Sequence, residues 1–371
     1  MKNLKIYQVF ESYPLFYQPY IPPTLDLLAA QSGIDSTIIA FKGKAKGKEA
    51  QILPSFRNRV LKEFIYNRLH KRNDKFNFLE IKAIKNNVDI IHLQHSFLFN
   101  KVTSLLSLPN DKRPKIVITL RGGDTYVKPW LGDRWKLFYS EYGHKVDAFI
   151  VMSEDQKKYL HRWKVPLHRI HVIPISFGNK FEMKPKMPNH GTMKIISVFR
   201  MCWEKNIADN LRLIKYLNDL DIKVQYDIYG DGRDIGQLYY LIDLYDLNDC
   251  VNVKGRVDNK LIKEKLVNYD FKLQLSHSES LGMSVIEAQT YGVPAIVSNF
   301  GGLPEVVIDE KCGVIYDGEN LEKLAKKIIN LWEDKDKYYR FSQYSIKNSH
   351  EKYNVEMEVK LLDKLYQKLL K

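Results

Sequence analysis

The chain has 371 residues, 44% of them apolar and 27% charged, and its 58 Lys and Arg outnumber its 44 Asp and Glu to give a net charge of +14. This length allows two domains with separate cores, and the composition excludes a disordered or fibrous protein. No apolar run approaches the ~20 residues that cross a bilayer, and residues 6–10 are too short a stretch for the core of a signal peptide. We therefore expect a cytoplasmic protein whose positive charge meets a phosphorylated substrate, an anionic membrane or a nucleic acid.

Short β-branched segments alternate with longer amphipathic ones, which is typical of helices around a parallel sheet. The first group of predicted strands is residues 5–10, 36–41, 88–94, 115–120, 148–152 and 171–174. The second group is residues 194–199, 224–229, 251–253, 271–275, 295–298 and 313–316. Residues 178–192 contain Pro and Gly among polar residues without a period, so we expect a linker there. The pattern predicts two doubly wound α/β domains facing across a cleft.

Residues 56–75 predict one helix that is both apolar and basic. Its apolar residues are Phe56, Val60, Leu61, Phe64, Ile65 and Leu69, and its basic residues are Arg57, Arg59, Lys62, Arg68, Lys71 and Arg72. Such a helix could lie on anionic lipid at the inner face of the membrane. The alternative is a helix that packs its apolar face on its own sheet and exposes a basic back.

The three cysteines, Cys202, Cys250 and Cys312, form neither a CxxC pair nor a disulfide framework. We therefore expect reduced thiols. His92 and His95 follow a predicted strand, but the sequence offers no third ligand beside them, so we expect no metal.

Residues 276–288 follow an apolar strand and open a predicted helix. Gly282 permits close approach to the backbone, and the free amides of Met283, Ser284 and Val285 at the helix start are expected to form a phosphate site. Ser284 can add its hydroxyl. Glu287 lies one turn further on the face of Met283, where its carboxylate can accept two hydrogen bonds from the diol of a ribose.

Glu279 lies in the turn before that helix and could face another part of the same ligand. A carboxylate there can bond sugar hydroxyls or stabilise positive charge at an anomeric carbon. The alternative is a capping Glu279 and a solvated Glu287, because a spacing of eight arises easily by chance. Residues 299–305 form another glycine-rich turn after the next strand, which brings more amides to the same sheet edge.

Arg200 and Lys205 follow the first strand of the second half. At the carboxyl end of a strand, Arg200 could bind a diphosphate as a fork and Lys205 as a point charge. The alternative for both is an ordinary place on the surface of a basic protein.

These motifs together resemble the retaining, nucleotide-sugar-dependent glycosyltransferases of family 4 (glycosyl transferases group 1), over about 180 residues of the second half. The resemblance implies a GT-B fold of two Rossmann-like domains. It implies an acceptor-binding domain over residues 1–178 and a donor-binding domain over residues 192–350. In the family, the last helix, here about residues 354–371, crosses back onto the first domain.

The resemblance also assigns site residues. Arg200 and Lys205 match the basic pair that grips the donor diphosphate, Glu287 matches the ribose carboxylate, and Glu279 matches the residue that faces the donor sugar. The other matching donor-side residues are Gly282, Met283, Ser284, Gly230, Gly255 and Arg256.

The first half resembles the family more weakly. Residues 119–124 are similar to its acceptor-side turn, with Arg121 where the family commonly has a His, and with Asp124 and His95 on the same side. Arg121 could stabilise a phosphate or a developing charge, or form a structural ion pair with Asp124.

The sequence therefore predicts a glycosyltransferase that moves a sugar from a UDP- or GDP-linked donor to a glycan or lipid-linked acceptor. Surface polysaccharide or glycolipid synthesis fits this activity. A nucleotide-sugar epimerase or hydrolase is the alternative. A nucleic-acid partner is not expected, because the chain lacks a recognisable module for one. The sequence gives little support for a dinucleotide-dependent oxidoreductase, because no GxGxxG follows the first strand.

Overall fold

The computed structural model describes residues 3–14, 18–43, 50–70 and 75–371. The chain forms two compact units. The first contains Met1–Gly178 and Val355–Lys371, and the second contains Asn179–Asn354.

The first unit is built on a seven-stranded parallel sheet with the order β3-β2-β1-β4-β5-β6-β7. Its strands are Leu4–Tyr13 (β1), Ile34–Gly43 (β2), Gln51–Ile52 (β3), Ile90–Leu93 (β4), Lys115–Thr119 (β5), Ala148–Val151 (β6) and Ile170–Val172 (β7). Its first helices are Ile21–Ala29 (α1), Phe56–Leu69 (α2), Phe78–Lys85 (α3), Thr103–Leu106 (α4), Gly123–Tyr126 (α5), Lys128–Leu131 (α6), Asp133–Tyr142 (α7) and Glu154–His161 (α8). The central strands are buried on both faces, which explains why they read as continuous apolar runs.

The second unit is built on a six-stranded parallel sheet with the order β10-β9-β8-β11-β12-β13. Its strands are Met193–Val198 (β8), Val224–Tyr229 (β9), Val251–Gly255 (β10), Phe271–Gln274 (β11), Ala295–Ser298 (β12) and Gly313–Tyr316 (β13). Its helices are Ile207–Asp219 (α9), Ile235–Leu244 (α10), Asn259–Leu266 (α11), Met283–Thr290 (α12), Leu303–Val306 (α13), Leu321–Glu333 (α14) and Lys335–Lys352 (α15). Both sheets confirm the predicted α/β class.

The last helix, Val355–Leu369 (α16), belongs to the first unit. Its Tyr366 hydroxyl lies 2.7 Å from Nδ1 of the buried His92, on β4. Its Glu358 carboxylate accepts hydrogen bonds from the Thr24 hydroxyl (2.8 Å) and the Ser176 amide (2.9 Å). Polar bonds as well as apolar packing therefore fix the chain terminus on this unit.

All twelve predicted strands are present, and one further strand, β3, was not predicted. It pairs only Gln51 and Ile52 with β2, at the sheet edge. Two residues are too few to show a period of two.

Residues 179–192, predicted as part of a linker, are bonded to the second unit. The Lys186 amide donates to the Ser342 hydroxyl (2.9 Å), and the Asn189 amide donates to the Asp270 carboxylate (2.7 Å). Hydrogen bonds therefore hold this segment on the second unit. Its Pro and Gly content alone did not distinguish such a segment from a loose linker.

The basic helix is present as α2, but it does not pack its apolar residues on the sheet. Phe56, Leu61, Phe64 and Leu69 are exposed, so the packed alternative is wrong. Lys71 and Arg72 lie outside the described residues. In the described part of the chain, no helix is both long and apolar enough to cross a membrane.

Candidate functional site

The strand order of the second sheet reverses beside β8. This strand pairs with β9 on one side and with β11 on the other, and both pairings are parallel. In open α/β sheets, ligands bind at such a switch point, beyond the carboxyl ends of the strands. We therefore expect a ligand site at the loops that follow β8 and β11.

Backbone contacts fix these loops against one another. The His277 amide, after β11, donates to the Glu204 carbonyl, after β8 (2.8 Å). After β9, a Cβ on Gly230 would lie 1.9 Å from the Phe199 carbonyl oxygen, which no side chain allows. Gly230 thus lets two loops pack closely, and its amide bonds the Gly255 carbonyl at the end of β10 (2.8 Å).

A carboxylate and a lysine meet across the switch point. Lys205 Nζ lies 2.5 Å from Glu279 Oε2, and the two side chains are only 17% and 15% exposed. Gln274 Nε2 also donates to Glu279 Oε2 (2.7 Å), and the Ser280 amide donates to Oε1 (3.2 Å). The sequence-predicted pair Lys205 and Glu279 is therefore one hydrogen-bonded unit, in which the carboxylate is held at both oxygens.

The helix start predicted as a phosphate site is present. Gly282 has a φ of +94° and precedes α12, whose first residues are Met283 and Ser284. The expectation of a free amide at Val285 is wrong, because it donates to the Gly282 carbonyl (2.9 Å). The Ser284 hydroxyl donates to Gln274 Oε1 (2.9 Å), which links the helix start to the Glu279 network.

The second glycine-rich turn, residues 299–305, contacts the backbone of Glu279. The Gly302 amide donates to the Glu279 carbonyl (2.9 Å). A Cβ on Gly301 would lie 2.0 Å from the same carbonyl oxygen, and Gly301 has a φ of +61°. The turn therefore acts on the site by positioning the Glu279 backbone.

Glu287 lies on α12 with a carboxylate that is 13% exposed. Lys263 Nζ lies 3.4 Å from its Oε1, and Asn259 Nδ2 donates to the same oxygen (3.3 Å). The sequence analysis missed both partners, although a spacing of four places them on one face of α11. These contacts hold the charge of Glu287 in place.

A buried lysine on β11 was also missed. Lys272 Nζ donates to the Leu273 carbonyl (3.0 Å) and to Gln274 Oε1 (3.3 Å), so it touches the residue that bonds Glu279. Burial, followed by the nearby charge of Lys205, lowers the pKa of Lys272 to about 7. The signal in the sequence was a lysine inside an apolar strand, where lysine is rarely buried.

The remaining donor-side residues are arranged more openly. Arg200 and Arg256 are exposed at the ends of β8 and β10. Arg200 makes no ion pair with any carboxylate of the described chain, unlike Lys205, which pairs with Glu279. Gly255 has a φ of +65° and turns the chain toward Arg256.

The first unit places its polar side chains at its own switch point, between β1 and β4. Arg121 donates to Gln94 Oε1 (2.8 Å), and Gln94 Nε2 donates to Gln8 on β1 (2.8 Å). Burial lowers the pKa of the Arg121 guanidinium. Arg121 thus ends a chain of side-chain amides that starts within the sheet.

Asp124 organises the turn after β5. Its carboxylate accepts from the Gly122 amide (3.1 Å) and the Arg121 amide (3.4 Å), and it also accepts from the Ser96 hydroxyl. These bonds give Asp124 a role in shaping the turn.

Two histidines belong to this region. Burial, followed by the charge of Arg121, lowers the pKa of His92 to about 3 and that of His95 to about 4. His95 Nε2 lies 3.1 Å from Gln18 Oε1. Both rings are therefore neutral at pH 7. Within residues 3–14, 18–43, 50–70 and 75–371, no group of three metal-ligating side chains occurs.

Glu358 of α16 completes this polar region, and the sequence analysis missed it. Together with Thr24, His92, Gln94 and Arg121 it lines a small cavity of about 20 Å³, roughly one water molecule in size. Burial raises the pKa of Glu358. A residue more than 200 positions from Arg121 in sequence gives no local signal of this neighbourhood.

Two protein families match the chain over adjoining segments. The family described as Glycosyl transferases group 1 matches residues 179–348, and the family described as Glycosyltransferase Family 4 matches residues 27–175.

Relatives and solved structures agree with these matches. N-acetyl-alpha-D-glucosaminyl L-malate synthase of Bacillus anthracis is 23% identical over 301 residues, which cover 78% of this chain and 77% of the relative. Anabaena Alr3699/HepE in complex with UDP has a TM-score of 0.74 at 13% identity, with 98% of this chain and 100% of that chain covered. A TarM variant from S. aureus, in complex with Fondaparinux, alpha-GlcNAc-glycerol and UDP, has a TM-score of 0.65 at 20% identity; the match covers 78% of this chain and 59% of that chain.

Proposed function

Because the chain belongs to the group 1 and family 4 glycosyltransferases with the GT-B fold, we propose that it transfers a sugar from a nucleoside diphosphate sugar to an acceptor with retention at the anomeric carbon. The family match favours transfer over the epimerase or hydrolase alternative. Synthesis of a polysaccharide or another glycan is the role that fits.

The Lys205–Glu279 pair beside the start of α12 carries the proposal. As the bond between the sugar and the diphosphate breaks, negative charge grows on the leaving diphosphate. Lys205 and the positive end of α12 stabilise that charge more in the transition state than in the ground state. This positive charge lets the proposed reaction proceed without a metal or other cofactor.

Other residues around the same loops bind the rest of the donor. The Glu287 carboxylate, which contacts Lys263 and Asn259, accepts hydrogen bonds from the two ribose hydroxyls. Arg200 is exposed and can fold over the diphosphate, while Gly255 and Arg256 border the nucleobase. UDP is the first nucleoside diphosphate to test, since HepE and TarM were each solved in complex with UDP.

Glu279 stabilises the donor sugar and does not attack it. Both of its oxygens already accept hydrogen bonds, and Lys205 Nζ lies 2.5 Å from Oε2, which leaves the carboxylate poorly placed as a nucleophile. We propose that the electrons of the breaking bond pass to the diphosphate, whose oxygen takes the proton of the attacking acceptor hydroxyl. Arg121, Asp124 and His95 belong to the acceptor side, and the acceptor is a glycan or a lipid-linked glycan.

We also propose a cytoplasmic location. Cys202, Cys250 and Cys312 are buried and unbridged, which is ordinary in a reducing compartment.

Product analysis tests the function. The enzyme is incubated with UDP- and GDP-sugars, with and without glycan acceptors, and the products are identified by mass spectrometry and by the anomeric coupling in NMR spectra. The proposal predicts acceptor-dependent release of nucleoside diphosphate and a retained anomer. The proposal would be contradicted by an epimerised donor or by release of nucleoside diphosphate at the same rate without an acceptor. A covalent glycosyl adduct on Glu279 would also contradict it.

A further inference from the structure

Helix α2 turns large apolar side chains toward solvent. Phe56 and Leu69 are 73% and 74% exposed, and Leu61 and Phe64 are 59% and 60% exposed. All fourteen residues of α2 are described, and Tyr66 is its one buried residue. A helix on a sheet normally buries its apolar stripe, and an exposed apolar patch marks an interaction site.

The polar side of α2 faces the protein instead. Asn67 exchanges two hydrogen bonds with the Phe76 backbone (2.8 and 2.9 Å), and Glu63 accepts from the Phe78 amide (2.8 Å). Tyr66 stacks on His70 at 4.0 Å. These contacts fix which side of the helix points outward, so the exposure of its apolar residues is built into the fold.

Positive charge is interleaved with this apolar face. Helix α2 carries Arg57, Lys62 and Arg68 on its exposed side, whereas the half-buried Arg59 lies over the Phe41 ring, 5.2 Å from its centroid. Its single acidic residue, Glu63, accepts a hydrogen bond from the Phe78 amide. A groove of about 490 Å³ runs between α2 and α3. Its lining combines the apolar residues Ile65, Leu69, Phe78 and Ile81 with the cations Lys62, Lys82 and Lys85.

We propose that this α2 surface, formed by Phe56, Leu61, Phe64 and Leu69 with the exposed cations Arg57, Lys62 and Arg68, docks on an anionic lipid bilayer. The apolar side chains enter the boundary between headgroups and acyl chains, and the cations bind lipid phosphates. Charge complementarity selects this partner. A second copy would bring the same three cations opposite one another, since a two-fold interface is formed by the same patch on both subunits. The proposal stands apart from the donor chemistry.

Vesicle sedimentation tests the docking. The 371-residue chain is mixed with phosphatidylcholine vesicles, with or without 30 mol% phosphatidylglycerol. We expect binding to the anionic vesicles that weakens with salt, and little binding to the neutral ones. Arg57→Gln with Arg68→Gln should reduce partitioning about tenfold or more, because each basic residue near such a surface is attracted to the lipid phosphates. Separately, Leu61→Gln with Phe64→Gln should reduce partitioning to a similar degree, because it removes apolar side chains that enter the bilayer.

Matched controls lie on the second unit. Tyr240→Gln with Leu244→Gln removes two exposed apolar residues of α10, and Lys323→Gln with Lys327→Gln removes two exposed charges of α14. Both control pairs should bind vesicles as the wild type does, and melting curves should show that every variant is folded. Failure of the wild type to bind, equal binding to neutral vesicles, or equal losses in the controls would overturn the proposal.

A second readout places the helix at the lipid. The three native cysteines are buried, so Leu61→Cys can carry an environment-sensitive fluorophore. Its emission should shift to the blue with anionic vesicles, whereas a probe at Leu244→Cys should not respond. A shift that appears with rising protein concentration in the absence of lipid would identify a second copy as the partner and overturn the proposal.

Discussion

Lys205 Nζ lies 2.5 Å from Glu279 Oε2, and the two residues follow the adjacent strands β8 and β11 at the switch point of the second sheet. Neither side chain is free in solvent, so each depends on the other for its charge to be tolerated. Removing one partner leaves the second as a partly buried, unpaired charge.

Lys205→Met should lower kcat about 10²- to 10³-fold, the usual effect of removing one group that stabilises developing charge. Glu279→Gln should also lower kcat, and the double variant should lose less than the product of the two single effects, because the residues act as a pair. Steady-state kinetics with saturating donor measure these values. Lys215→Met breaks an exposed pair with Asp219 and should leave kcat unchanged. Fully multiplicative losses would contradict the coupling.

Gly301→Ala should impair catalysis without touching the ligand, since its Cβ would meet the Glu279 carbonyl oxygen at 2.0 Å and push the turn away. Gly318→Ala is the matched control: its φ is +93°, and nothing lies within 4 Å of the added Cβ. Gly318→Ala should lose about 1–2 kcal/mol of stability from its strained backbone, and Gly301→Ala should lose more because of the added clash with the carbonyl oxygen. Only Gly301→Ala should lose a large part of kcat. Equal activity in the two variants would show that Glu279 is not positioned by this turn.

Lys272 should make stability rise with pH. Its pKa is about 7 in the folded chain and about 10.4 in an unfolded one, so between these values the unfolded state binds the extra proton. The free energy of unfolding therefore increases as pH rises through this window, whereas below about pH 7 both states are protonated and the contribution of Lys272 no longer changes with pH. Urea unfolding at pH 6.5 and pH 9 should show a smaller rise in Lys272→Met than in wild type or in the exposed control Lys327→Met. Parallel pH dependence in Lys272→Met and wild type would contradict a buried, neutral Lys272.

His92 should weaken the protein in acid. Its folded pKa of about 3 lies below the unfolded value of about 6.5, so its contribution is complete above pH 6.5 and is lost as pH falls toward 3. His92 also joins Tyr366 of α16 to Thr119 of β5. Between pH 7 and pH 4.5 the melting temperature of His92→Gln should therefore fall less than that of wild type. The exposed control His144→Gln should follow wild type. An unchanged slope in His92→Gln would be inconsistent with this assignment.

The strands could be predicted because parallel strands that are buried on both faces leave continuous apolar runs. The loops at their carboxyl ends could be located for the same reason, which is how Lys205, Glu279 and Glu287 were found. The two-residue β3 leaves no such run, and the segment around Lys186 resembles a linker because its bonds to Ser342 and Val267 are distant in sequence.

Partners within the site were harder to predict. Gln274 and Lys272 stand on a strand that the sequence marks only as apolar, and their link to Glu279 depends on how the following turn folds back. The outward face of α2 was not predictable either. Periodicity shows which residues share a face, but only the bonds of Glu63 and Asn67 show which face is turned inward.

The central claim is a nucleoside diphosphate site at the start of α12, and a thermal-shift panel tests it most directly. UDP, GDP, ADP, CMP and NAD are added to wild type, to Glu287→Ala and to the exposed control Glu322→Ala. A ligand at 100 times its dissociation constant adds about 2.7 kcal/mol, which raises the melting temperature by a few degrees. The account predicts a shift with one nucleoside diphosphate that disappears in Glu287→Ala and persists in Glu322→Ala. No response to any diphosphate, with a strong response to NAD, would contradict it.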